Sequence, residues 1–242
     1  MAIGQLWNYE SISRKKGVFM SKNKKSIFII HTSFVSVDEL KKLFSEIIPE
    51  ANVNNIVDDS MLPEVMKNGK ITHGIIQRIY TYSQIASSLG ADIIVNQCSS
   101  VGEAVNIVKK MINIPIIRID EAMANEAVKI GKRIGVIATV ASTIKPSVNI
   151  IKDAAIVAEK NVIIKEYLVE GALEILLKEN NRNKHNELVM YAIEKSQKEN
   201  DVLVLAQGSM TVLIPLLKDI NIPVLTSPRL CVNSVKKILK LA

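Results

Sequence analysis

Two stretches of the chain, Ala91-Asp-Ile-Ile-Val-Asn-Gln-Cys-Ser-Ser100 and Asn200-Asp-Val-Leu-Val-Leu-Ala-Gln-Gly-Ser209, follow one pattern in which an acidic residue and an apolar run lead to a small polar end. Equivalent residues lie 109 positions apart, which pairs Asp92 with Asp201, Cys98 with Gln207, and Ser100 with Ser209. Two further matches follow in the same order at offsets of 108 and 107 residues, Ile114-Pro115 with Ile222-Pro223 and Thr32 with Thr139. These ordered matches predict an internal duplication, and therefore two lobes that face a common cleft.

Short apolar runs alternate with longer helical stretches over the rest of the chain. The runs predict strands at 26–30, 52–57, 92–96, 115–119, 133–138, 162–167, 201–205 and 223–226. The stretches between them predict helices at 37–48, 74–89, 101–111, 122–131, 146–152, 186–198 and 230–241. Because most of the strands are apolar throughout, they fit parallel sheets that are covered on both faces. The sequence therefore predicts an α/β fold of two pseudo-symmetric parallel-sheet lobes with right-handed crossovers.

The positive charge of the chain is concentrated at one end. The net charge is +7, and six basic residues against Glu10 place +5 of it within residues 1–25. Phosphate binding needs a clustered basic surface, which the remaining +2 does not supply, so we expect no nucleic-acid partner. Residues 1–25 are interpreted as a basic, disordered leader.

Targeting and metal motifs are absent from the sequence. The leader lacks the apolar run and cleavage site of a secretory signal, and no stretch reaches the roughly 18 apolar residues of a membrane span. We therefore expect a cytoplasmic protein with no membrane partner. Cys98 and Cys231 form no CxxC pair, and no Walker, GxGxxG, HExxH or GxSxG motif occurs, so neither a metal nor a cofactor is expected.

Small polar residues follow the predicted strands at the edge where parallel sheets bind ligands. The loops at this edge lead into helix amino ends, whose N–H groups favour anions such as carboxylates. The candidate substrate-binding residues are Thr32, Ser99, Ser100, Thr139, Gln207 and Ser209. Helix capping is the alternative role for the serines and threonines, and the two roles are compatible.

Cys98 is the candidate catalytic residue. A lone cysteine is usually a small core residue. At the end of a strand and the start of a helix, however, a thiol can form the thiolate that a base or nucleophile requires. The alternative class of protein is a two-lobed protein that binds a small carboxylate without catalysis, although such proteins are usually exported and no export signal is visible.

Six segments in order resemble the cofactor-independent aspartate/glutamate/hydantoin racemase superfamily over most of residues 26–240. They are Asn96-Gln-Cys-Ser-Ser100, Val57-Asp-Asp-Ser-Met-Leu62, Ile117-Arg-Ile-Asp120, Gly135-Val-Ile-Ala-Thr139, Leu205-Ala-Gln-Gly-Ser-Met210 and Pro223-Val-Leu-Thr-Ser-Pro228. The resemblance implies a first lobe of residues 26–120 plus 210–242 and a second lobe of residues 121–209, with the substrate carboxylate between them. It also implies an isomerase acting on a small carboxylic or amino acid, and a homodimer is expected.

The resemblance departs from the two-cysteine racemases at one position. In those enzymes, one thiolate removes the α-proton and a cysteine on the facing lobe returns it. Cys98 matches the first cysteine, but Gln207 stands at the second position, and glutamine cannot exchange a proton. One-cysteine decarboxylases and maleate-type cis-trans isomerases of the same superfamily are therefore alternatives.

Other polar residues have alternative interpretations that the sequence leaves open. His31 is a candidate second proton carrier, whereas His73 and His185 are interpreted as surface residues. Cys231 is interpreted as structural, and Arg118 with Asp120 as an intramolecular ion pair. The segment Asp58-Asp-Ser60 is interpreted as a helix cap, with a position near the cleft as the alternative.

Overall fold

The computed structural model describes residues 24–241, apart from the side chains of Leu177 and Ser209. All but the last two residues of the expected leader therefore lie outside the described residues. Lys25 was assigned to the leader, but its Nζ lies 2.7 Å from Asp92 Oδ1 and its carbonyl accepts a hydrogen bond from the Asn52 N–H. The ordered fold thus includes Lys25.

Eight strands form two parallel sheets. The strands are β1 (Ser26–His31), β2 (Asn52–Val57), β3 (Ile93–Asn96), β4 (Ile116–Arg118), β5 (Arg133–Ala138), β6 (Ile163–Leu168), β7 (Val202–Leu205) and β8 (Val224–Thr226). The first sheet has the order β2-β1-β3-β4 and the second has the order β6-β5-β7-β8. The two orders are the same when each strand is replaced by its counterpart four strands later, so the predicted duplication and fold class are confirmed.

Within residues 24–241, nine α-helices cover the two sheets. They are α1 (Val37–Ile47), α2 (Met61–Asn68), α3 (His73–Ser88), α4 (Gly102–Val108), α5 (Glu121–Ile130), α6 (Ala141–Val157), α7 (Ala172–Lys178), α8 (Arg182–Ser196) and α9 (Ser227–Ile238). Two 3₁₀ segments, Ser99–Val101 and Gly208–Asp219, follow β3 and β7. None of the helices within residues 24–241 is both long and apolar enough to cross a membrane.

Equivalent aspartates anchor the first strand of each sheet. Asp92 Oδ2 accepts a hydrogen bond of 2.8 Å from the Ser26 N–H. In the second lobe, Asp201 Oδ2 accepts the same bond, also of 2.8 Å, from the Arg133 N–H. Each aspartate directly precedes a central strand and accepts a hydrogen bond from the first residue of the neighbouring strand. The repeated aspartate therefore helps to align these two strands in each sheet.

The two lobes exchange one helix each. Helix α5 follows β4 of the first sheet, but its Met123 and Val128 lie in the core of the second lobe beside Ile134. Helix α9 follows β8 of the second sheet, but its Val232 packs in the core of the first lobe against Ile29. The exchange brings α5 and α9 together between the lobes.

One of the predicted lobe boundaries differs from the observed boundary. Residues 210–242 were assigned to the first lobe, yet β8 pairs with β7, as Leu205 opposite Thr226 shows. The chain therefore returns to the first lobe only at α9. Apolar pairing of β8 with the buried β7 holds this segment in the second sheet.

Candidate functional site

The carboxyl ends of the central strands bring the predicted site residues to one edge of each sheet. Thr32 follows β1 and Cys98 follows β3 in the first lobe, and Thr139 follows β5 and Gln207 follows β7 in the second. Since the strands of each sheet are parallel, these ends lie at the same edge. The duplication therefore places Thr32 and Cys98 in the same relation as Thr139 and Gln207.

Side chains from the two lobes meet beside the Cys98 loop. Ser100 Oγ lies 3.3 Å from Ser142 Oγ, which is in the first turn of α6. Glu103 Oε1 accepts a hydrogen bond of 3.2 Å from Asn149 Nδ2 of the same helix. Helix α6 thus forms the wall of the second lobe that faces the loop.

A cleft of about 100 Å³ opens at this contact. Its lining comes from both lobes, with Ser100 on one side and Ser142 on the other. Lys70 from the α2–α3 loop and Lys145 from α6 line the same cleft. The cleft therefore combines hydroxyl groups with positive charge, a combination suited to a small anion.

Cys98 is half-buried and has an extended backbone with φ −111° and ψ 117°. Its side chain packs against the apolar cluster that includes Ile30 and Ile94. The helix expected at 101–111 is shorter, because a 3₁₀ turn comes first and α4 begins at Gly102. The thiol thus lies against the apolar cluster, and Cys98 is not among the residues that line the cleft.

Gln207 is held to Thr139 by two hydrogen bonds. Its Oε1 accepts from the Thr139 N–H at 3.0 Å, and its Nε2 donates to Thr139 Oγ1 at 2.8 Å. The amide therefore fixes the end of β5. Neither bond involves a group that releases a proton at neutral pH.

The remaining predicted site residues are largely buried. Thr32, Ser99, Ser100 and Thr139 each expose less than a tenth of their surface. Ser209 is the second residue of the 3₁₀ segment after β7, and its side chain lies outside what the structure describes. The structure thus joins Ser100 to Ser142 and Thr139 to Gln207.

A buried ion pair lies against Gly102, at the end of the Cys98 loop. Arg118 Nε and Nη2 donate to the two Asp120 oxygens at 2.9 and 2.7 Å, as the sequence predicted for this pair. A Cβ built at Gly102 would lie 2.3 Å from Arg118 Cζ, so only glycine leaves room for the guanidinium there. Burial and then the Arg118 charge lower the pKa of nearby Lys109 to about 8.

The other ionisable candidates are removed from the cleft. Cys231 is buried in the first-lobe core, and burial together with the Asp120 charge raises the pKa of its thiol to about 12, which confirms the structural interpretation. His31 is fully buried with Nε2 2.8 Å from Asn55 Oδ1, and burial lowers its pKa. His185 was expected at the surface but is buried in α8, where it packs against the second lobe.

Asp58 closes the turn before α2 rather than reaching the cleft. Its Oδ1 accepts hydrogen bonds from Ser60 N–H and Oγ at 3.1 and 2.5 Å. Its Oδ2 accepts from Tyr82 Oη at 2.8 Å and from Arg78 Nη1 at 3.3 Å. Although burial acts to raise the pKa of this carboxyl, these donors outweigh it and lower the pKa. The turn ordered by Asp58 leads into α2, but the N-cap residue Ser60 makes no side-chain capping hydrogen bond, so the predicted helix cap is not observed.

Three residues that line the cleft, Ser142, Lys70 and Lys145, were not predicted from the sequence. Ser142 lies three residues after Thr139, so a hydroxyl at the start of a helix was a signal that could have identified it. The two lysines had no local signal, because they meet only when the lobes close on each other. Across residues 24–241, no three His, Cys, Asp or Glu side chains are grouped so that they could hold a metal ion.

The sequence profile of the Asp/Glu/hydantoin racemase family matches residues 29–235, most of the chain. The chain belongs to this family. The match includes both lobes and every candidate site residue. No protein among curated sequences matches the chain.

Solved structures of racemases share the fold. Glutamate racemase isoform RacE1 from Bacillus anthracis has a TM-score of 0.69 and 16% identity over 89% of this chain and 82% of that chain. Allantoin racemase from Klebsiella pneumoniae has a TM-score of 0.63 and 15% identity over 90% and 89%. Unliganded arylmalonate decarboxylase has a TM-score of 0.58 and 11% identity over 88% and 91%. The fold is therefore shared by proteins with different named activities.

Proposed function

We propose that this racemase-family protein is a cofactor-independent isomerase that acts at the carbon next to the carboxylate of a small acid, with Cys98 as the base. The observation that carries the proposal is the half-buried Cys98 in the loop whose Ser100 meets Ser142 of the other lobe. Cys231, the only other cysteine, is sealed in the core. Proton exchange by a thiol would therefore fall to Cys98.

The proposed step is a proton transfer. The Cys98 thiolate takes the α-proton, and the electron pair of the broken C–H bond moves into an enediolate of the carboxylate. A proton delivered to the opposite face of the enediolate completes the isomerisation, whereas return of a proton from the Cys98 thiol to the same face gives exchange without inversion. Hydrogen-bond donors near the developing negative charge lower the barrier, and the hydroxyls of Ser100, Ser142 and Thr139 are the proposed donors.

The charge of the cleft supports an acid as substrate. Lys70 and Lys145 are exposed and line the cleft from opposite lobes. Neither lysine takes part in an ion pair within the described part of the chain. Glu103 lines the same cleft, so the two lysines leave a net charge of +1 there, which attracts an anionic substrate most strongly at low salt.

A second candidate is a one-sided reaction, either decarboxylation or cis-trans isomerisation. The favouring observation is Gln207, which occupies the position facing Cys98 in the duplication and is bonded to Thr139 by both ends of its amide. With no proton carrier there, a proton delivered by Cys98 would reach only one face of the intermediate.

The test is exchange of α-hydrogen for deuterium in a panel of small carboxylic acids, followed by NMR in heavy water. We expect exchange of at least one acid by the unmodified protein and by Cys231→Ala, and none by Cys98→Ala. Iodoacetamide should modify Cys98, and the exchanging acid should protect it. Equal exchange by Cys98→Ala would contradict the proposal, and binding without exchange would favour a carboxylate-binding protein.

We also propose that the protein is a cytoplasmic homodimer that works without a cofactor. The sequence resemblance motivates this expectation, and sedimentation at several concentrations tests the oligomeric state.

A further inference from the structure

Asn96 is an unusual residue for its position. It ends β3 and is fully buried, yet neither Oδ1 nor Nδ2 of its amide has a hydrogen-bond partner within residues 24–241. Burying an amide without partners is unfavourable, and native folds rarely keep such a group without a use for it. The sheet itself gains nothing from this amide.

The duplicated lobe shows that the fold does not need an amide here. The equivalent residue, 109 positions later, is Leu205, which ends β7 and is also fully buried. Asn96 precedes Cys98 by two residues, just as Leu205 precedes Gln207. The amide thus occurs in the lobe that carries the thiol, and an apolar side chain occurs in the lobe that does not.

The backbone directs Asn96 and Cys98 to the same side. Asn96 pairs in parallel with Ile30, and Cys98 packs against the cluster on that face of the sheet. Side chains two residues apart in extended chain share a face, and the extended φ and ψ of Cys98 continue the alternation beyond β3. Asn96 therefore lies next to Cys98 along one face.

Other sources of stabilisation for a thiolate are weak at this loop. Helix α4 begins only at Gly102 and has seven residues, so its amino end lies four residues beyond the sulfur. Arg118 is neutralised by Asp120. The charged or titratable groups on the elements packed around the loop include His31 on β1, Glu64 and Lys67 on α2, Lys70 before α3, Glu103 on α4, Arg118 and Asp120 at β4, and Lys145, Lys152 and Asp153 on α6.

We propose that Asn96 is a positioning residue for Cys98, whose amide N–H donates to the sulfur when the thiol ionises. A hydrogen bond to an ionised acceptor is stronger than one to a neutral acceptor, so the amide favours the thiolate over the thiol. The inference rests on the proposed function only in taking Cys98 as the reactive group.

The test is the rate of Cys98 alkylation by iodoacetamide as a function of pH, followed by mass spectrometry of the Cys98 peptide. Asn96→Leu copies the residue that the second lobe accepts, so we expect an unchanged or higher melting temperature. We also expect alkylation at neutral pH about tenfold slower and a midpoint of the rate curve at higher pH. Asn96→Val serves the same comparison if the leucine variant does not fold.

The matched control is Asn200→Leu. Asn200 is also buried with an unpaired Oδ1, but its Nδ2 donates to Ser196 O at 2.7 Å and Tyr167 Oη at 2.8 Å in the second lobe. We expect Asn200→Leu to lower the melting temperature and to leave the pH dependence of Cys98 alkylation unchanged. An unchanged curve in Asn96→Leu would overturn the inference, even if deuterium exchange supports the proposed function. A shifted curve without any exchange would sustain the inference and reject the function.

Discussion

Cys98 and Gln207 occupy equivalent places in the two lobes but differ in what they can exchange with a substrate. A thiol can lose and regain a proton, whereas the amide of Gln207 is already engaged with Thr139. The asymmetry of the chemistry therefore depends on one residue in an otherwise repeated frame.

Gln207→Cys tests this asymmetry. The change places a thiol opposite Cys98 and removes both hydrogen bonds to Thr139, which should lower the free energy of unfolding by about 1–2 kcal/mol. We expect racemisation to exceed that of the unmodified protein, because protons can then be delivered to both faces. Chiral chromatography of the product measures it.

Gln207→Ala is the matched control, since it loses the same bonds without adding an acid. Racemisation by the unmodified protein at the rate of Gln207→Cys would mean that a second proton carrier already exists.

Gly102→Ala should disturb the support of the Cys98 loop. The new Cβ would approach Arg118 Cζ to 2.3 Å, and the buried guanidinium cannot move without straining its pair with Asp120. We expect a loss of about 1–3 kcal/mol in urea denaturation, typical of overpacking. Gly74→Ala is the control, because its Cβ would have no neighbour closer than 3.7 Å; equal losses in both variants would count against the steric explanation.

At the scale of elements, Asp92 and Asp201 secure the same strand junction in each lobe. The Arg133 side chain, followed by the backbone N–H groups of Arg133 and Lys132, lowers the pKa of Asp201 to about 2. A lowered pKa in the folded state contributes stability above the ordinary Asp pKa, and that contribution is lost as the pH falls toward 2.

Asp201→Asn should therefore destabilise the protein at pH 7 but not near pH 2. Urea denaturation of both proteins between these pH values measures the difference in unfolding free energy. We expect the two curves to converge as the pH falls. A difference that is constant with pH would show that the carboxylate charge does not contribute.

The elements were largely predictable, but their placement was not. All eight strands within residues 24–241 were predicted within about two residues, because most of them are apolar throughout, the exposed edge strands β2 and β6 being the more polar exceptions. Helix α6 was predicted from Pro146, yet it begins at Ala141, since its buried face offsets the hydrogen bond that Pro146 cannot make to the Ser142 carbonyl. Helix α7 and the 3₁₀ segment after β7 had no clear periodicity and were missed.

The candidate site was predictable where it depends on strand ends. Cys98, Thr139 and Gln207 follow strands that the sequence identifies. The contact of Ser100 with Ser142 was not predictable, because it depends on how the two lobes pack. The placement of β8 in the second sheet was not predictable either, because the local sequence does not show which distant strand a given strand pairs with.

At the scale of the whole molecule, each lobe depends on a helix that comes from the other sheet's connection. Val232 of α9 is fully buried beneath β1 and β3 of the first sheet. Val232→Ala should lower the free energy of unfolding by about 2 kcal/mol through lost burial and a cavity.

Hydrogen exchange of the β1 and β3 amides measures how far the effect of Val232→Ala extends. We expect faster exchange in both strands, while Lys237→Ala, on the exposed face of α9, leaves them protected. Exchange confined to α9 would show that the helix is not required for the first lobe.

The exchanged helices also determine which lobe can complete its fold first during translation. Because α9 follows the second sheet in the chain, the first sheet is made early, but the face that α1 and α9 share is covered only by α1 until the whole second lobe has been translated. The second lobe takes only Leu230 of α9 into its core from the chain after β8, so it can mature first. Nascent chains shorter than about 230 residues should accordingly expose the apolar face of Ile27 and Ile29 to chaperones.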